Sequence, residues 1–204
     1  VETILYSNDS GIAEQHAQKL AKEQGKIYVS PYNDPQIIAG QGTLAIELLD
    51  QLPRLDVVYV SIGGGGLISG IGSVLKAFSP KTRVVGVSAK NSAELAASIR
   101  AGKMVKVDHH ETLADGCAGG VDRDTITLGL GTEVIDDLID CSEQQIVSGL
   151  QQIAWSEKML VEGSAGLAYA AWQEDARKNN NKISAVVLCG ANFDKETLSP
   201  IVNL

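Results

Sequence analysis

The sequence predicts an α/β fold: a largely parallel, twisted sheet with helices on both faces. Three observations predict it. Short β-branched apolar runs alternate with helical patterns over nearly the whole chain, which is the rhythm of parallel strands joined by crossover helices. One of these runs, residues 57–62, stops abruptly in four consecutive glycines, Gly63, Gly64, Gly65 and Gly66, and a helical pattern starts at once at Leu67. Three small-residue loops, at 63–66, 115–120 and 189–192, follow strands or lie near them, where an open parallel sheet places its ligands.

In chain order, residues 2–7 read as a short strand. Asp9 and Ser10 can cap a helix to about Gln24, with Ala13, Ala17 and Leu20 on its buried side, and Gly25 closes it. Residues 27–29 form the next strand, stopped by Ser30 and Pro31. Two strands and one helix make a poor core by themselves. The turn at Tyr32, Asn33, Asp34 and Pro35 is the best domain boundary. It leaves 1–33 as part of a smaller α/β unit and 34–204 as part of a larger one. From Gln41 a helix runs to Pro53, and its first turn carries Gly42 and Thr43. After the glycine loop, Leu67, Ile68, Ile71, Val74, Leu75 and Phe78 share one broad helical face.

Residues 83–87 read as a strand, and an Ala-rich helix follows to about Arg100. Residues 102–111 are polar and loop-like. Their adjacent His109 and His110 cannot both face one metal from a regular element and are read as solvated. A helix is expected over 125–136 despite Gly129 and Gly131, then a short strand at 138–141. Ser142, Glu143, Gln144 and Gln145 resemble a helix start with a capping residue and an early acid, and that helix is expected to run to about Leu160. A second helix begins near Gly163 and runs to Ala176, and Lys178 to Asn181 is a charged surface turn. Residues 183–188 form a buried strand that ends in the third loop, and a short helix closes the chain.

The 204 residues suffice for one large domain, or one domain with a smaller appendage. A net charge of −8 argues against nucleic acid or an anionic membrane as the main partner. Cys117, Cys141 and Cys189 are odd in number and show no CxxC or zinc spacing, which favours a reducing compartment such as the cytoplasm. No apolar run approaches membrane-spanning length, and no signal peptide precedes the first strand. The chain opens on Val1 inside a strand, so the natural N-terminus is expected to lie upstream.

Strand, glycine loop and helix together form a phosphate cradle. The glycines bring backbone N–H groups close to an anion, and the helix dipole adds positive potential at the same point. The bland alternative, a tight turn, needs one or two glycines rather than four. Dinucleotide spacing fails: from Gly63 the third position is Ile68, and from Gly64 it is Ser69. The next strand ends at Val87, Ser88 and Ala89 without an acid for a ribose, and no Gly-Lys-Ser/Thr closes the loop for a nucleoside triphosphate. A compact phosphate monoester remains, with pyridoxal phosphate the leading candidate.

Five segments then carry a resemblance: Ile38-Ala39-Gly40-Gln41-Gly42-Thr43, Gly63-Gly64-Gly65-Gly66-Leu67, Leu113-Ala114-Asp115-Gly116, Val161-Glu162-Gly163-Ser164-Ala165-Gly166 and Leu188-Cys189-Gly190-Ala191-Asn192. In order and interval they resemble the later part of fold-type II pyridoxal-phosphate enzymes, the serine/threonine dehydratase and serine racemase group, whose fold is tryptophan synthase beta-like. The resemblance covers almost the whole chain and implies a fold incomplete at its N-terminus. It implies that Gly63, Gly64, Gly65, Gly66 and Leu67 hold the cofactor phosphate and that Gly116 lies against the cofactor pocket. It also implies that Glu162 faces the ring and that Cys189 stands where many relatives place a serine opposite the pyridine nitrogen. Glu162 also reads as a helix-start acid, and Cys189 as a small buried residue at a strand end.

The departures matter equally. The family's Schiff-base lysine lies in a Ser-Phe-Lys-x-Arg-Gly-like stretch upstream of these segments, so no catalytic residue is assigned in this chain. Lys81, in Ser79-Pro80-Lys81-Thr82-Arg83, is a decoy between helix and strand. The substrate-carboxylate segment is also missing. Relatives often hold a divalent cation with carboxylates after the strand that here ends at Ser88. Here only Glu94 keeps a carboxylate position, and no metal site is expected. The reading is dehydration and deamination of threonine, serine or a related hydroxyamino acid to a keto acid and ammonia. The complete enzyme performs it, as a cytoplasmic homodimer, and this portion is inactive alone. An amino-acid racemase of the same family and a non-catalytic phosphate-binding module are the alternatives.

Overall fold

A computed structural model of the chain describes residues 3–7, 10–176 and 181–203. Four parallel strands form one sheet in the order β3-β2-β1-β4: β1 (Val57–Ser61), β2 (Arg83–Ala89), β3 (Asp137–Cys141) and β4 (Ser184–Val186). Tyr59 of β1 pairs with Val85 of β2 and with Val186 of β4. Every residue of β1 is buried, because helices cover both faces and give its β-branched side chains apolar neighbours either way. Val57 and Tyr59 point into one core, with Ile146, Leu150, Leu167 and Ala171. Val58 and Val60 point into the other, with Ala45, Ile68, Ile71 and Leu75.

The first core is built on α6 (Glu143–Gln152), α7 (Gly163–Ala176) and α8 (Lys195–Val202). The second is built on α2 (Pro35–Gln51) and α3 (Gly66–Phe78), with contributions from α4 (Glu94–Ala101) and α5 (Ile126–Val134). The expected α/β class, parallel sheet and double helical covering are all present. So is the capping box at Ser142, whose hydroxyl accepts from the Gln145 amide while the Gln145 side chain accepts from the Ser142 amide.

Several boundaries differ from the sequence reading. Helix α2 starts at Pro35 rather than Gln41. The Asp34 carboxylate caps it by accepting from the Gln36 and Ile37 amides at 2.7 and 3.1 Å, and proline fits the first turn, which needs no N–H donor. The helix expected to reach Leu160 leaves α geometry at Ile153 through a π turn (Ile153–Glu157) and stops at Lys158, whose φ is +59°.

Residues 3–7 and 27–29 form no strand. They are largely exposed and join no strand of the described sheet. A strand's backbone groups need a second strand, which local propensity cannot supply. Between them, α1 (Ser10–Glu23) forms as expected. Its Asp9 cap lies outside the described residues, as does most of the 178–181 turn.

Candidate functional site

Strands β2 and β3 lie on one side of β1 and β4 on the other, so the chain changes direction across the sheet between β1 and β4. A doubly wound sheet opens a crevice at the carboxyl ends of such a pair. The glycine loop follows β1, and the loop containing Cys189 follows β4. A cavity of about 400 Å³ lies there, within the usual size range of small-ligand sites. All four loop glycines (Gly63, Gly64, Gly65, Gly66) and Leu67 line it, as do Gly116, Glu162 and Cys189.

The loop geometry explains its composition. Gly65 caps α3 with φ +85°, and no side chain caps that helix. A Cβ at Gly65 would collide with Leu95, and one at Gly64 would enter the ring of Tyr32. One at Gly63 would come within 3.0 Å of the Cys117 backbone. Among the described residues, the Gly63, Gly64 and Gly65 amides donate to no protein acceptor, and the first-turn amides of α3 have no intrahelical one. No described lining residue is Lys or Arg. Unpaired amides and a helix N-terminus are therefore what this wall offers an anion, and they fit a single phosphate. Lys81 is exposed in the turn before β2, away from the cavity.

Another part of the lining is acidic and thiol-bearing. The Glu162 carboxylate accepts from the Asn192 amide at 2.8 Å and closes over Gly190. A Cβ on Gly116 would meet Glu162 Oε1 at 3.1 Å and Ser164 Oγ at 2.9 Å. Cys189 faces the cavity, where desolvation and then the Glu162 charge push its thiol up to about 11, so it is protonated and neutral near pH 7. Burial pushes Cys117 up to about 12.

Three features escaped the sequence reading. The Tyr32 ring, whose hydroxyl accepts from the Asp122 amide, packs over Gly64, and the Tyr32 backbone lies against Gly66. The Ser164 hydroxyl is buried on the cavity wall beside the Cys117 thiol, while its carbonyl accepts from Ser61 Oγ at 2.6 Å. Glu14 reaches the rim from α1, and burial followed by the Asp122 charge raises its carboxyl above the ordinary range. Only the Ser164 hydroxyl had a sequence signal, its place inside a segment already singled out. Both histidines of the pair are exposed, as the sequence reading has them, and His109 also hydrogen-bonds Ser92 and Glu94. Among the described residues, no group of three or more His, Cys, Asp or Glu is arranged to hold a metal ion.

Fold and site together define an α/β domain with an uncapped glycine loop opening on a cavity at the sheet's switch point. The family described as "Pyridoxal-phosphate dependent enzyme" matches residues 1–190, and the chain belongs to that family. It is 33% identical over 202 residues to the L-threonine ammonia-lyase of Thermotoga maritima, a match covering 99% of this chain and 50% of that protein. It is 31% identical over 195 residues to the serine racemase of Schizosaccharomyces pombe, covering 96% of this chain and 60% of that protein. Among solved structures, the processed form of threonine deaminase isoform 2 from Solanum lycopersicum superposes with a TM-score of 0.89 at 28% identity, covering 98% of this chain and 59% of that one. The chain thus spans about half to three-fifths of the length of these proteins.

Proposed function

We propose that the complete protein carrying this chain is a pyridoxal-phosphate-dependent ammonia-lyase. It converts threonine, serine or a related hydroxyamino acid to a keto acid and ammonia. The observation that carries this reading is the meeting, in the lining of one cavity, of uncapped loop amides and the neutral Cys189 thiol beside Glu162. The similarity to an L-threonine ammonia-lyase supports it. When bound, the cofactor supplies an electron sink for bond breaking at the substrate's α-carbon.

This chain's residues hold and tune. The amides of Gly63, Gly64, Gly65, Gly66 and Leu67 take the phosphate, and Gly116 leaves room for the ring. Cys189, a weak acid, offers the ring nitrogen a hydrogen-bond partner without transferring a proton to it. Glu162, fixed by the Asn192 amide, presents its carboxylate to the same space. The lysine that binds the cofactor and moves the α-proton lies, on this reading, outside the 204 residues, and the chain alone is inactive. Residues 1–33 belong to a smaller domain and 34–204 to the cofactor domain. The complete protein is a homodimer, and its three unpaired cysteines fit the cytoplasm.

The test uses the complete protein. A visible cofactor band that borohydride abolishes, with keto acid released from serine or threonine, supports the lyase. Similarity to a serine racemase favours a second reading, for which serine would be racemised without net keto acid. A protein that binds no cofactor and does neither would overturn both readings.

A further inference from the structure

The 102–111 loop contains a hydrogen-bonded relay that ends at the cofactor cavity. His109 Nε2 lies 2.7 Å from Glu94 Oε2, and His109 Nδ1 lies 2.8 Å from Ser92 Oγ. Ser92 Oγ in turn accepts from the Gly119 amide at 3.0 Å. The Glu94 side chain is 11% exposed and that of His109 31%, so water competes only partly for these bonds.

A carboxylate only accepts, so Nε2 donates to Glu94. Ser92 Oγ accepts from the Gly119 N–H and shares one further hydrogen bond with Nδ1, whichever of those two atoms is the donor. Gly119 has φ +111°, a conformation open to glycine and strained for other residues, and it lines the cavity with Gly116, Cys117 and Gly120. Ser92 is buried just past the end of β2, and its amide is anchored to the Ala89 carbonyl, so the relay ties a loop to the sheet. A second link keeps His109 in register: the His110 amide donates to the Asn91 carbonyl at 2.8 Å.

We propose that His109 is a positioning residue for the cofactor loop: held by Glu94, it orients the Ser92 hydroxyl so that the Gly119 amide is fixed and the 115–120 wall stands at its binding distance. This rests on the cofactor site proposed above. It gives a work-sharing between loops in which the glycine loop supplies the anion contacts and the relay sets the adjoining 115–120 wall.

The complete protein, freed of cofactor, is titrated with pyridoxal phosphate by fluorescence. Amide exchange is followed in peptides covering 115–120 and, as an internal reference, β2. H109A and S92A should each weaken binding by about threefold to tenfold, the range expected for losing one hydrogen-bond link. Both should speed exchange over 115–120 while β2 stays unchanged. H109Q, whose amide both donates and accepts, should restore both readouts. Unchanged affinity and exchange in H109A would overturn the proposal. So would faster exchange in β2 as well, which would mark a general loss of stability, and so would a failure of H109Q to rescue. A wild-type protein that binds no pyridoxal phosphate would instead reject the proposed function, so the two failures are distinguishable.

Discussion

Cys189 shows how much a residue's meaning depends on its surroundings. The sequence places a thiol at a strand end, and that alone allows a reactive nucleophile, a structural filler or a ring partner. The cavity narrows the choice, because desolvation and the neighbouring Glu162 charge both disfavour a thiolate. Cys189 is the most accessible of the three cysteines, yet with its thiol near 11 only about one in a thousand is ionised at pH 8. Alkylation with iodoacetamide, followed by peptide mass spectrometry, should therefore modify Cys189 first but slowly. Its rate should climb with pH past 9 without levelling, and a plateau near 9 would contradict the assignment. Cys117 and Cys141, both pushed up to about 12 by burial, should stay unmodified until the protein opens. The same shifts have a sign in stability. Above the ordinary thiol value the unfolded chain loses these protons while the folded one keeps them. Their contribution is thus fully present below pH 9 and is lost as the pH climbs from 9 toward 12.

At the scale of elements, glycines decide which helices can approach closely enough to support the loops. Helices α2 and α3 cross where Gly42 faces Gly70, and a Cβ on Gly70 would run into the Ile38 carbonyl and the Gly42 amide. Helices α6 and α7 use the same device, since a Cβ on Gly149 would meet the Gly166 carbonyl at 2.6 Å. Gly129 in α5 has nothing within 4 Å of its Cβ direction and is exposed. One substitution should therefore have opposite signs at the two positions. G70A should destabilise by about 1–3 kcal/mol, because backbone atoms cannot yield as a side-chain tip can. G129A should stabilise by about 0.5–1 kcal/mol through lower unfolded-state entropy and better helix propensity. Denaturant midpoints of the two variants against wild type check both signs. The pattern also explains what was legible. The unit from β1 through the glycines to α3 is a local signal and could be read directly. The first turn of α2 could not, because Asp34 and Pro35 read equally as a turn and Gly40 looks like a breaker, while the Asp34 cap shows only in the fold. The hydrogen bonds of His109 were not legible for a related reason: its partners lie 15 and 17 residues away, and only the fold brings them together.

At the scale of the whole molecule, the apolar surface is unevenly distributed. The interior is filled on both faces of the sheet, yet Leu5 is 95% and Ile27 91% exposed, and Ile4, Tyr6 and Val29 are more than half exposed. These are the stretches expected as strands. Their composition was read correctly and their pairing was not, because pairing depends on a partner strand and the sheet's outer strands, β3 and β4, lie elsewhere. Side chains this exposed contribute little burial, since the gain of about 25 cal/mol per Å² applies only to area removed from water. They should therefore be dispensable to the fold of this chain while still dominating its stickiness. Replacing Leu5, Ile27 and Val29 with Ser, Thr and Thr should cut the binding of a hydrophobic dye and lower self-association in light scattering. The denaturant midpoint should stay within about 0.5 kcal/mol of the starting chain, as for surface substitutions generally. A large drop in that midpoint would mean that these residues pack in solution. In the complete protein the same triple substitution should cost far more if these segments pair there as strands. The difference between the two measurements would then report directly how much of this surface is covered in the complete protein.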